Sequence, residues 1–165
     1  MRRTLVVISL LAIVLGGYAT WRALESDSTR IRRQLDRAIT ALNDARTLAC
    51  TDVLALDYRD DTTQIDRETL RRGLLYLRQR DAGAPGRSWP WHASIDESEL
   101  SLDVDRDAQP RTARVEGVVC LTHTRPDAPR EVRWEARLIV DWRNGDRGWE
   151  VVRTTHETLR GARPR

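Results

Sequence analysis

Apolar residues change their spacing along the chain, from a helical period in the first half to alternation in the second. Ser, Asp and Thr at positions 26–30 are typical of a helix start, with Asp27 or Ser28 as the N-cap. Apolar side chains then recur at steps of three and four, at Ile31, Leu35, Ala38, Leu42, Ala45 and Ala49. This spacing predicts an amphipathic helix of about 20 residues that packs on its own domain.

A second helix is predicted near residues 66–80. Ile65 and Leu70 fit a hydrophobic staple around a helix start at Asp66. Its apolar face consists of Leu70, Leu74 and Leu77, and the Gly and Pro residues after Arg80 indicate a loop. The stretch between the two helices, residues 51–61, is interpreted as a short helical turn and a polar loop.

From residue 91 onward, apolar and polar residues alternate, as in half-buried antiparallel strands. The predicted strands cover 91–104, 111–124, 132–142 and 149–155, with a hairpin turn at 144–148. Trp134, Trp142 and Trp149 are expected in the core. Helices followed by strands predict an α+β fold with the helices on one face of a curved antiparallel sheet.

The first 24 residues form a separate segment. Arg2 and Arg3 precede an uncharged stretch at 4–21, which would span roughly 27 Å as a helix. Residues 1–24 are therefore predicted to be a single-pass anchor in the inner (cytoplasmic) membrane, with the C-terminal domain periplasmic or extracellular. The alternative is a signal peptide cleaved after Ala19, with the small residues Gly17 and Ala19 at positions −3 and −1, which would release a secreted protein. The domain is assigned to 25–159 and a disordered tail to 160–165.

Charge excludes one class of partner. Arg2, Arg3 and Arg22 supply the net charge of +3, and the other 25 arginines balance 25 acidic residues. A nucleic-acid-binding protein needs a basic face that displaces counterions from phosphates. The sequence shows no such face, so nucleic acid is not an expected partner.

Motifs for metal or cofactor chemistry are not found in the sequence. His92, His123 and His156 lack metal-ligand spacing, and no P-loop, G-x-S-x-G or other phosphate-binding turn occurs, so neither a metal nor a cofactor is expected. Cys50 and Cys120 both follow the predicted anchor. They form either a disulfide in an oxidising compartment or two separate buried thiols.

Several short patterns resemble the nuclear transport factor 2-like (SnoaL-like) superfamily. They are the helix at 31–42, the bend Leu-Ala-Leu-Asp-Tyr-Arg-Asp at 54–60, the helix at 66–70, and Asp-Trp-Arg followed by Gly-Trp-Glu-Val-Val at 141–143 and 148–152. The resemblance covers residues 28 to 158 and implies a cone-like fold, with helices on a bent sheet around a pocket. The superfamily includes dehydratases, isomerases, cyclases, transport factors and membrane-anchored modules, so fold alone does not give function.

The resemblance also implies candidate residues, because enzymes of this superfamily often place a His and an Asp in the cavity. The candidates are Asp57, Tyr58, Asp60, His92, His123 and His156. Strand parity puts His123 on the face of Leu121, which is a candidate inner face, but His156 opposite Trp149 and Val151. A catalytic role needs a shared cavity that the sequence does not establish, so each His is interpreted as an edge or surface residue, and the two Asp as turn-forming residues.

Trp89 and Trp91 flank Pro90 at the entrance of a strand. They are expected to line a pocket mouth or partner surface, or to close the end of the cone. The predicted function is a membrane-anchored accessory module of the cell envelope that binds an envelope protein or a small apolar ligand, with a homodimer as a further expectation. The alternative is a pocket enzyme of dehydratase, isomerase or cyclase type that uses a His–Asp acid–base pair. A role without catalysis is preferred.

Overall fold

Two helices and seven strands make up the domain in the computed structural model, which describes residues 25–82, 88–124 and 130–162. The helices are α1 (Asp27–Asn43) and α2 (Arg67–Ala82). The strands are β1 (Leu54–Asp60), β2 (Ile65–Asp66), β3 (Trp91–Ile95), β4 (Ser101–Asp105), β5 (Thr112–His123), β6 (Glu131–Gly145) and β7 (Gly148–Gly161). Short 3₁₀ turns lie at Ala49–Thr51 and Glu97–Glu99. The predicted α+β class is confirmed.

The strands form one mixed sheet in the order β2-β1-β7-β6-β5-β3, and β4 also pairs with β5. Strand β1 runs parallel to β7, with Leu54 opposite Val151, and the other pairs are antiparallel. The interpretation of 51–61 as a turn and loop was wrong, because most of this stretch is strand β1. The prediction of a purely antiparallel sheet was also wrong, because β1 and β7 are parallel. Burial along β1 does not alternate, because Leu54 and Ala55 are both buried and Leu56 and Asp57 are both exposed.

Helix α1 is shorter than its apolar pattern predicts, and its N-cap is Ser26 rather than Asp27 or Ser28. The Ser26 hydroxyl accepts a hydrogen bond from the Thr29 N–H at 3.2 Å. The helix ends at Asn43, whose side-chain amide donates to the Ala93 carbonyl at 3.0 Å and accepts from the Ala93 N–H at 2.7 Å. Ala45 has a φ of 58°, which stops the helix. Asn43 thereby fixes the end of α1 to β3.

The core lies between α1 and the hairpin end of the sheet. Ile31 of α1 belongs to one buried cluster with Trp142 and Trp149, and the predicted core position of the three tryptophans is confirmed. Buried Asp27 accepts the Trp149 indole N–H at 3.1 Å and an Arg111 N–H at 2.7 Å. The predicted hairpin turn is also confirmed, since the Gly145–Gly148 pair closes it.

Strand β7 contains two β-bulges against β6. Asp141 pairs with Arg153 but Trp142 pairs with Val151, so Val152 is an extra residue. Leu159 is the second extra residue, because Glu135 pairs with Arg160 but the next residue, Ala136, pairs with Thr158. Each extra residue reverses which face the following side chains occupy.

The strand continues to Gly161, so the predicted boundary at 159 is two residues too early. Arg160 and Gly161 belong to the sheet rather than to a disordered tail, and 163–165 lie outside the described residues. Gly161 has a φ of +76°, and a Cβ there would lie 2.1 Å from the Arg133 carbonyl oxygen. Only glycine fits this position.

Residues 1–24, where the anchor or signal peptide is predicted, lie outside the described residues. Within the described ranges, no helix combines the length and apolar character needed to cross a membrane.

Candidate functional site

A cavity of about 320 Å³ lies between helix α2 and the concave face of the sheet. Its lining residues are almost all aliphatic or aromatic, and Thr69 and Tyr76 are the two that carry a hydroxyl group. The lining residues are Leu42, Ile65, Thr69, Leu70, Gly73, Leu74, Tyr76, Leu77, Trp89, Trp91, Leu121 and Trp134. Such a lining suits an apolar ligand with few polar groups.

Helix α2 forms the roof of this cavity. Asp66 caps the helix start by accepting the Thr69 N–H at 2.8 Å. The predicted face of Leu70, Leu74 and Leu77 points at the cavity, yet no residue of α2 is buried. The helix therefore covers a space that its own side chains do not fill.

Three neighbouring strands form the floor. Leu121 of β5 lies between Ala93 of β3 and Trp134 of β6 in the register of the sheet, and Trp91 lies at the start of β3. Trp89 and Trp91 both line the cavity, as the pocket-mouth interpretation requires. Trp91 and Trp134 are 8% and 9% exposed, so both belong to the buried part of the floor.

At the β3 end of the floor, Trp91 contacts the side chains of Asp81 and His123. Its indole N–H donates to Asp81 Oδ2 at 2.6 Å, and its ring meets the His123 ring edge to face at 4.7 Å between centroids. Arg80 also donates to Asp81, at 2.7 Å. The Arg80 hydrogen bond, then the Trp91 hydrogen bond and nearby positive charge hold the pKa of Asp81 below its ordinary value, although burial opposes this. Sequence reasoning missed Asp81, because nothing in a loop-flanking Arg-Asp pair indicates a tertiary partner.

At the β7 side, His156 and Asp60 lie together. His156 Nδ1 is 3.7 Å from Asp60 Oδ1, and the two side chains are 9% and 5% exposed. The His156 ring also meets the Trp134 ring edge to face at 5.3 Å. The bulge at Val152 turns His156 onto the concave face, so its predicted outward parity and its surface interpretation were both wrong.

Asp60 has the turn-forming role that the sequence predicts. Its Oδ1 accepts the N–H groups of Thr62 and Thr63 at 3.0 and 3.3 Å. The same oxygen is the one that faces His156. One carboxylate therefore both shapes the turn after β1 and faces a histidine.

The other candidates are not brought into this arrangement. Tyr58 is buried, and its hydroxyl is hydrogen-bonded to the Thr154 hydroxyl at 2.7 Å. Exposed Asp57 is held by the Arg143 guanidinium at 2.8 and 3.0 Å, and this contact lowers the pKa of Asp57. His92 lies on the opposite face of β3 from Trp91. Among the residues that line the cavity in the described ranges, no histidine occurs.

Both cysteines are free thiols, so the disulfide is not formed in the structure. Cys50 donates to the Thr47 carbonyl at 3.0 Å, and burial followed by the Asp52 charge raises the pKa of its thiol to about 11. Cys120 lies in β5 between Ser94 and Glu135, where burial raises its pKa. Within the described part of the chain, no three His, Cys, Asp or Glu side chains are grouped closely enough to hold a metal ion.

Comparison with known proteins gives the fold. A nuclear transport factor 2-like protein with a cystatin-like fold from Novosphingobium aromaticivorans is 17% identical, has a TM-score of 0.65, and covers 88% of this chain and 89% of its own. The protein Aln2 from a Streptomyces species has a TM-score of 0.60 at 11% identity, with 78% and 87% covered. A Catenulispora acidiphila protein, solved in complex with S-DNPA, has a TM-score of 0.57 at 17% identity, with 78% and 90% covered.

No family model and no curated protein sequence matches the chain. The structural likeness nevertheless extends over most of the domain. The chain therefore has the nuclear transport factor 2-like, cystatin-like fold, with two helices on a curved mixed sheet, as the sequence resemblance implied.

Proposed function

We propose that this domain is a binding module for a small apolar ligand. The observation that carries the proposal is the cavity of about 320 Å³ between α2 and the sheet, with Trp91, Leu121 and Trp134 as its floor. Its volume lies within the range of small-molecule sites, which is about 300–1,000 Å³. Water gains few hydrogen bonds against such a lining, so an apolar ligand would replace it favourably.

The fold neighbours support this proposal in a limited way. The Catenulispora acidiphila protein of the same fold was solved with a small molecule, S-DNPA. That observation belongs to that protein, and it supports only the idea that the fold accommodates a small molecule. The identity of the ligand of this chain follows from its own lining, which favours a compact hydrocarbon or aromatic compound.

We also propose that the domain is tethered to a membrane. The uncharged stretch at 4–21 after Arg2 and Arg3 supports a membrane tether, with the binding domain on the outer side of the membrane. A tethered domain would meet apolar molecules that partition into the lipid. An envelope protein or a second copy of the chain would then be the partner that receives the ligand.

Binding of a fluorescent apolar probe tests this function. N-phenyl-1-naphthylamine accepts energy from tryptophan, and Trp89, Trp91 and Trp134 all line the cavity. Titration of the full chain should give saturable transfer at a stoichiometry of one. Transfer that rises linearly with probe concentration, without saturation, would show partitioning and contradict a defined site.

A second candidate function is catalysis beside this pocket, and the His156–Asp60 distance of 3.7 Å favours it. A histidine oriented by a carboxylate removes a proton from a carbon acid. The pair lies beside Trp134, whose ring lines the cavity. Against this function, Asp60 Oδ1 already accepts two backbone N–H groups.

Exchange of carbon-bound hydrogen separates the two functions. In deuterium oxide, an enzyme of this kind would incorporate deuterium next to the carbonyl of a bicyclic ketone such as α-tetralone. The His156→Gln variant should lose that activity while it keeps probe binding. If the protein binds the probe in the titration but exchanges the ketone no faster than buffer does, the binding module remains as the function.

A further inference from the structure

A short polar contact joins the C-terminal end of helix α2 to the sheet. The Trp91 indole N–H donates to Asp81 Oδ2 at 2.6 Å, across ten residues of chain. Asp81 is the penultimate residue of α2, and Trp91 is the first residue of β3. The side chain of Asp81 is 15% exposed, so solvent competes weakly with this hydrogen bond.

No residue of α2 is buried. The helix contacts β1 and β2, while Leu74 and Leu77 of its second half face the open cavity. Leu75 and Tyr76 are 39% and 60% exposed. Helical segments with few buried contacts are the ones that open locally in native proteins. The Asp81–Trp91 contact therefore has a large share in keeping the second half of α2 in place.

Trp91 has two roles at once, because its ring lines the cavity while its N–H bonds the roof. The His123 ring packs edge to face on the same indole at 4.7 Å and limits its rotation. The residue that holds the roof is therefore also part of the surface that a ligand on the floor would meet. The position of the Trp91 side chain therefore affects both the closure of the roof and the shape of the pocket.

We propose that the Asp81–Trp91 hydrogen bond is a latch that holds the second half of α2 over the pocket and sets the rate at which an apolar ligand enters and leaves. The proposal rests on the proposed ligand-binding function. The opening motion is displacement of the second half of α2 from β3, with the capped start at Asp66 as the fixed end.

The test removes the carboxylate and measures two properties of the full chain. In Asp81→Ala, amide hydrogen exchange over 74–82 should become faster. Dissociation of N-phenyl-1-naphthylamine, followed by stopped flow, should accelerate by about tenfold or more, as expected for loss of a hydrogen bond to a charged group. Glu68→Ala is the matched control, since Glu68 is an exposed acid in the first turn of the same helix, and it should change neither rate.

The outcomes separate the latch from the binding function. Faster exchange together with faster dissociation supports the latch. Unchanged exchange in Asp81→Ala overturns it, even where the probe binds normally. Absence of saturable probe binding to the wild-type chain overturns the binding function and, with it, ligand control by the latch. If Asp81→Ala does not fold, Asp81→Asn, which removes the charge and keeps the shape, should show the same changes to a smaller extent.

Discussion

The imidazole of His156 and the carboxylate of Asp60 face each other on the concave side of the sheet, with Nδ1 and Oδ1 3.7 Å apart. The two residues are 96 positions apart in sequence and come from strands that run parallel to each other. A single bulge at Val152 brings the histidine to this face. Any chemistry of the pair therefore depends on an irregularity of strand β7.

The packing of His156 predicts a cost on its removal. His156→Ala should lower the free energy of unfolding by about 1–3 kcal/mol, because it removes a mostly buried ring that packs edge to face on Trp134. Urea denaturation measures this change. Glu157→Ala, at the exposed next position, is the control and should stay within about 0.5 kcal/mol of wild type. Equal stability of the two variants would mean that His156 does not pack as described.

Gly161 provides a test of where the domain ends. Gly161→Ala should destabilise the protein by about 2 kcal/mol or more, because its Cβ would meet the Arg133 carbonyl oxygen and its φ is positive. Gly145→Ala, where the added Cβ makes ordinary contact, should cost less. Thermal unfolding compares the two. A harmless Gly161→Ala would indicate that the chain is already disordered at residue 161.

The two thiols should differ in reactivity. The pKa of Cys50 is raised to about 11, so its thiolate fraction at pH 8 is about one in a thousand. Iodoacetamide at pH 8 should therefore label Cys120 well before Cys50 in the native protein, and both equally in urea. Mass spectrometry of tryptic peptides measures the order, and faster labelling of Cys50 would contradict its described environment.

The lowered pKa of Asp81 predicts a dependence of stability on pH. A folded-state pKa below the unfolded value of about 3.9 stabilises the fold above that pH, and this contribution is lost as pH falls through the folded pKa. The difference in unfolding free energy between wild type and Asp81→Asn should be constant above pH 5 and shrink below pH 4. Urea titrations from pH 2 to 7 test this, and a difference that persists at pH 2 would contradict it.

The regular parts of the fold could be predicted from the sequence. Helix α2 follows from its Leu stripe and the cap at Asp66, and strand β6 from the alternation around Trp134 and Trp142. Their side chains carry the period of the element that they form. The same pattern identified Leu70, Leu74 and Leu77 as an apolar face, which in the structure is the roof of the cavity.

Two features of the site were outside the reach of the sequence pattern. Strand β1 does not alternate at its start, where Leu54 and Ala55 are both buried, and its parallel partner β7 lies about a hundred residues later in the chain. No glycine or proline marks the bulge at Val152. The alternation of Trp149 and Val151 was therefore extended without a break to His156, which placed it on the wrong face. Long-range pairing decided both features, and short sequence patterns do not contain it.

The most direct test of the central claim fills the cavity from its roof. Gly73 lines the cavity, and a Cβ there meets nothing within 4 Å, so the first atom of a larger side chain has open space. Gly73→Phe should abolish saturable binding of N-phenyl-1-naphthylamine to the full chain, while Gly73→Ala should keep it and stabilise α2 by up to about 1 kcal/mol. Undiminished binding to a folded Gly73→Phe variant would contradict a ligand site between α2 and the sheet.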